Sequence, residues 1–101
     1  MYQIGLSSCG KTLDESLFAA CQASGIGRIE LSGDRGDFDT MDLSELARLS
    51  RTYGIKLHSL HLPFSAGRGC WIDVSAPQTA DDAVAYYETL IREGSAVGIT
   101  R

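Results

Sequence analysis

An α/β fold with parallel strands is predicted by two features of this sequence. Gly25-Ile26, Gly54-Ile55 and Gly98-Ile99 each end a helix-like stretch on a residue that accepts the left-handed cap conformation, and each then opens an extended run with a β-branched residue. Strand-like and helix-like segments alternate strictly between those junctions, which places the strands parallel and joins them by right-handed crossovers. About three βα units are expected, from a partial (β/α)8 TIM-type barrel or from an open doubly wound sheet. After the third junction only Thr100 and Arg101 follow, so the chain is expected to stop short of its fourth strand.

The first strand is expected over Tyr2 to Ser8, followed by a turn at Ser8-Cys9-Gly10-Lys11. Thr12-Leu13-Asp14-Glu15 has the spacing of a capping box, with Thr12 as the cap, and Leu13, Leu17, Phe18, Ala20 and Cys21 form the apolar stripe of a first helix ending at Gly25. Arg28 to Ser32 is the second strand, and Gly33 to Thr40 a polar loop whose acidic residues do not match calcium-loop spacing. Asp42-Leu43-Ser44-Glu45 repeats the capping box before a second helix with Leu43, Leu46, Ala47, Leu49 and Tyr53 on its apolar face. Ile55 to Leu62 is the third strand, ended by Pro63, whose ring cannot donate to a ladder. Ser65 to Ser75 is expected to be a loop, and Pro77-Gln78-Thr79 to open a third helix with Val84, Tyr87, Leu90 and Ile91 as its stripe and Ala83 and Val97 near its ends. No linker or low-complexity tract divides residues 1–101, which are expected to form one unit.

Composition narrows the function classes. A net charge of -4 and a pI near 4.9 supply no electrostatic footprint for nucleic acid or an anionic membrane. Cys9, Cys21 and Cys70 are odd in number and lack C-x-x-C spacing, which suggests neither a disulfide framework nor a zinc clip. No apolar run approaches the length of a membrane span, and no export signal opens the chain. A cytoplasmic protein is expected.

Two motifs carry candidate chemistry. Gly5-Leu6-Ser7-Ser8-Cys9-Gly10-Lys11-Thr12 matches the P-loop pattern between a strand and a helix, where backbone amides would cradle phosphates, Lys11 neutralise them and Thr12 hold magnesium. The competing expectation makes Thr12 a helix cap and Lys11 a solvated turn residue. The second motif is His58-Ser59-Leu60-His61-Leu62-Pro63-Phe64. Strand alternation puts Leu57, Ser59 and His61 on one face and His58, Leu60 and Leu62 on the other. His61 would then face the mouth at the carboxyl end of its strand, able to bind a metal, hydrogen-bond a hydroxyl or shuttle protons, while His58 would be structural. Glu30 shares its strand face with Arg28 and Ser32, and a half-buried carboxylate there needs an ion-pair partner, for which Arg28 is at hand, or a catalytic role. Asp73 lies in the loop after the third strand, within reach of the same mouth.

The stretches Ile4 to Lys11, Gly25 to Ser32, Leu60-His61-Leu62-Pro63-Phe64 and Trp71-Ile72-Asp73-Val74-Ser75 together resemble the N-terminal part of the sugar phosphate isomerase/epimerase superfamily, the xylose isomerase-like TIM barrels. The resemblance runs the length of the chain, and the H-L-P-F and I-D-V-S segments are its more specific part. It implies an eight-stranded barrel that isomerises or epimerises a sugar or sugar phosphate by proton transfer next to a carbonyl, commonly assisted by a divalent metal ion. By position His61 and Glu30 become the catalytic candidates, with Ser32 and Asp73 as substrate contacts. The family's principal metal ligands come from later strands, so these residues are expected to hold no metal site of their own, His61 being the one candidate ligand, and to be inactive by themselves. Two other functions stay open: a P-loop nucleotide-binding protein, and a non-catalytic half-barrel that works by associating with another chain. Self-association through open sheet edges is expected in either barrel case.

Overall fold

A computed structural model describes residues 4–63, 65–67, 70–71 and 77–101. Three parallel strands, β1 (Gly5–Ser7), β2 (Arg28–Leu31) and β3 (Lys56–Leu60), pair in sequential order. The helices between them are α1 (Glu15–Ala23), α2 (Arg35–Thr40) and α3 (Leu43–Tyr53). A two-stranded antiparallel ribbon, β4 (Ser65–Gly67) with β5 (Cys70–Trp71), follows β3 and precedes α4 (Pro77–Ala96).

The three Gly-Ile junctions fold alike. Gly25, Gly54 and Gly98 have φ of 74°, 67° and 92°. The following amides of Ile26, Ile55 and Ile99 each donate five residues back, to the carbonyls of Cys21, Ser50 and Gly94 at 2.9, 3.1 and 2.9 Å. This is the Schellman closure, which satisfies helix-end carbonyls and requires a residue tolerant of positive φ. After the third junction the carbonyl of Arg101 accepts from the Leu60 amide at 2.8 Å, so the returning chain lies along the free edge of β3.

All four helices contribute to a single apolar cluster on one sheet face. Phe18 and Cys21 of α1, Phe38 of α2, Leu46 and Leu49 of α3 and Leu90 of α4 meet Ile29, Leu31 and Leu57 of the sheet, joined by Ile55 and Ile99 from the caps. Polar contacts tie the helices together: Tyr53 donates to Glu15 at 2.7 Å between α3 and α1, and Tyr86 of α4 donates to Asp39 of α2 at 3.2 Å beneath the Arg35 guanidinium. Burial and the neighbouring Asp39 carboxylate push the Tyr86 hydroxyl up to about 12.

Several elements differ from expectation. The polar loop over Gly33 to Thr40 contains α2, because Asp34 accepts from the Asp37 amide while the Asp37 carboxylate accepts from the Asp34 amide, a capping box built with Asp instead of Glu. The cap of α1 is Asp14, not Thr12, since the Asp14 side chain accepts from the Leu17 amide at 3.0 Å. Asp42 caps α3 as expected, but Glu45 turns away from the cap to form a two-bond contact with Arg48. The expected loop over Ser65 to Ser75 includes β4 and β5. On α4 the buried stripe is Ala83 and Leu90, with Val84 and Ile91 48% and 57% exposed. Residues 2 and 3 of the expected first strand lie outside the described residues.

The cap geometry makes a paired prediction. Gly54→Ala places a Cβ at positive φ and should cost about 1 kcal/mol. Gly27→Ala, where φ is ordinary and no atom lies within 4 Å of the added Cβ, should be neutral or stabilising by a few tenths of a kcal/mol, about 1 at most. Denaturant midpoints of the two variants give the comparison.

Candidate functional site

With the helices gathered on one face, the other face of the sheet is polar. Its hollow, about 230 Å³, is lined by Gly5, Ser7, Arg28, Glu30, His58 and Ser59, together with Leu6. The strand alternation of β2 places Arg28 and Glu30 here and sends Ile29 and Leu31 into the core.

β3 does not alternate. Ile29 pairs with Leu57, yet Glu30 pairs with Ser59 and Leu31 with Leu60, so His58 is an extra residue in the ladder. A bulge of this kind puts two successive side chains on one side of a strand. Leu57 and Leu60 therefore both turn toward the core, and His58 joins Ser59 on the polar face. This corrects the expectation that His58 and Ser59 occupy opposite faces. The imidazole Nε2 lies 3.4 Å from Nη1 of Arg101, while Nδ1 is buried with no hydrogen-bond partner among the described residues. Desolvation, then the charges of Arg28, Arg101 and Lys56, hold the His58 pKa below its ordinary value, against a smaller opposing effect of Glu30.

Glu30 finds a partner other than the expected one. Ser59 donates its hydroxyl to Oε2 of Glu30 at 2.9 Å, and among the described residues the ion pairs are Arg35–Asp39 and Arg48–Glu45, leaving Arg28 outside any. Ser59 was visible in the sequence as a residue on the strand, but its position opposite Glu30 depends on the bulge.

His61 lies just beyond β3 and is exposed; its amide donates to the Leu31 carbonyl at 2.8 Å and its Nδ1 sits 3.1 Å from the Leu62 carbonyl. Ser32 lies just beyond β2. Its amide donates to Oγ of the buried Ser8, whose hydroxyl donates to the Ser32 carbonyl, closing a clasp across the carboxyl ends of β1 and β2. Thus Glu30 occupies the sheet face, whereas Ser32 and His61 occupy the edge at which β2 and β3 end. Asp73 and the I-D-V-S segment lie outside the described residues. Among the described residues no three His, Cys, Asp or Glu side chains converge as a metal site would require, so a resident divalent ion does not fit the residues in hand. No helix among them is long and apolar enough to cross a membrane.

The P-loop-like segment takes a different geometry from the one its pattern demands. Gly5 is inside β1, and α1 starts at Glu15 rather than directly after Lys11-Thr12. Lys11 and Thr12 instead line a cleft of about 530 Å³ together with Asp37, Asp42 and Glu45. Those carboxylates oppose an anionic phosphate at Lys11.

No known protein family, curated protein or solved structure matches this chain.

Two outcomes are expected. In double-mutant cycles Ser59→Ala and Glu30→Gln should couple by about 1 kcal/mol, whereas Arg28→Ala and Glu30→Gln should couple by less than about 0.5 kcal/mol. Asp14→Ala should cost about 1 kcal/mol and Thr12→Ala almost nothing, as read from thermal melts.

Proposed function

We propose that these residues form the first βα units of a xylose isomerase-like (β/α)8 barrel acting on a sugar or sugar phosphate by proton transfer next to a carbonyl. The observation that supports it is one-sided construction. Sequential strand order, a single helical layer and a fourth segment returning beside β3 are what a barrel wall needs. A doubly wound sheet would instead place helices on both faces. The polar face then becomes barrel interior, and the edge carrying Ser32 and His61 becomes the rim where such barrels hold substrate.

On this reading Glu30, held by Ser59, faces the interior as an acid-base group. His61 stands at the rim with an imidazole suited to proton transfer near neutral pH. Ser32 contacts substrate hydroxyls. The resemblance also brings a divalent metal, but no step is assigned to it, because the described residues do not converge on one.

The open faces favour a second reading, in which this unit acts through association. Val84 and Ile91, two turns apart on α4, are 48% and 57% exposed, and grouped exposed apolar side chains mark a contact face.

The test is made in the complete reading frame that carries these residues. Deuterium exchange from solvent into the carbon beside the carbonyl of ketoses, aldoses and their phosphates should occur. It should slow by about 10²-fold or more in Glu30→Gln and in His61→Ala. Unchanged exchange in both variants, or a frame that supplies no further βα units, refutes the isomerase.

A further inference from the structure

The contact between His58 and the returning chain stands apart from the proposed chemistry. Arg101 reaches it twice over: its carbonyl accepts from the Leu60 amide at 2.8 Å, and its guanidinium lies 3.4 Å from Nε2 of His58. A guanidinium can only donate, so this contact is a hydrogen bond when Nε2 is the accepting nitrogen of a neutral ring that carries its proton on Nδ1. Leu57 faces the core, so the ring of the next residue turns to the polar face, and the bulge keeps Ser59 there beside it.

We infer that His58 is an acid-sensitive latch: its neutral imidazole holds residues 99–101 against the edge of β3, and its protonation turns an accepting contact with Arg101 into a meeting of two cations and releases them. Release would free the Leu60 amide and take away the wall that Ile99, Thr100 and Arg101 give to the apolar groove of about 510 Å³, uncovering Leu60 and Leu90. The charged groups around the ring favour this sense. Arg28 from β2, Lys56 from β3 and Arg101 all oppose a positive imidazole, and Glu30 from β2 is the one acid acting for it. β1 presents Gly5, Leu6 and Ser7, none of which titrates near neutrality.

The sign follows from linkage. A histidine whose pKa is lower when docked than when free binds more protons in the released state. Docking is therefore at full strength above the pKa of the released ring, which Arg28 and Lys56 of the sheet still hold down, and weakens as pH falls. Between the pKa of the released ring and the lower docked one, the docking constant falls about tenfold per pH unit.

Amide hydrogen exchange of the whole chain, corrected for intrinsic rates, tests the latch at pH 7.5 and pH 5. Leu60 should lose protection at pH 5, while His61, whose amide bonds to Leu31 on the opposite side of the strand, keeps its own. His58→Gln, which cannot titrate, should abolish the difference. Should that variant not fold, Arg101→Gln keeps the histidine and should raise the titration midpoint of the His58 ring. Leu60 protection that ignores pH, a joint fall of Leu60 and His61, the same fall in His58→Gln, or an unmoved midpoint in Arg101→Gln would overturn the inference.

Discussion

Each helix that leads back toward the sheet, α1, α3 and α4, must be stopped and turned along it, and one hydrogen-bonded turn performs this task three times. Parallel strands cannot be joined by hairpins, so each connection has to climb a helix and return. The Gly of the turn accepts positive φ at little steric cost, and the Ile amide closes the helix end. Ile55 and Ile99 are also buried in the cluster with Phe18 and Leu31. Helix end, apolar anchor and strand start are thus one unit, and the sequential strand order builds on its repetition.

Collecting the apolar residues on one side leaves the other side to polar ones, and that face must satisfy itself. Glu30 is held by a serine, not by the nearby arginine. The difference matters, because a hydroxyl orients a carboxylate without neutralising it, whereas a tight ion pair would tie up its charge. Around His58 the balance is reversed. Three cations and one carboxylate surround a half-buried ring, which makes the neutral imidazole the favoured form.

The acidity of the chain has a structural explanation in part. Asp14, Asp34 and Asp42 begin α1, α2 and α3, each accepting from an amide of the first turn. Carboxylates at helix starts satisfy orphan amides and complement the helix dipole. The acidic wall of the cleft near Lys11 therefore consists largely of groups already engaged: Asp37 in a capping box, Asp42 as a cap and Glu45 with Arg48.

Periodicity and punctuation by themselves determined the α/β class, the three caps, the parallel strands and most core positions, because these depend on local conformational preference and on which residues avoid water. The same local logic assigned α1 the wrong cap and overlooked α2, since Thr12 and Asp14 both suit a helix start and an Asp-Asp capping box resembles a polar loop. Val84 and Ile91 read as core because a hydrophobic stripe shows that a helix has an apolar face, not how wide a partner covers it. The candidate site was legible as residues but not as an arrangement. Glu30, His58 and His61 drew attention by type and Ser59 only as a residue of the strand, yet one extra residue in β3 decided which of them meet. A bulge arises from the fit between two paired strands, and no single strand's sequence records it. Only the tertiary pairing of β2 with β3 could set His58 and Ser59 together opposite Glu30.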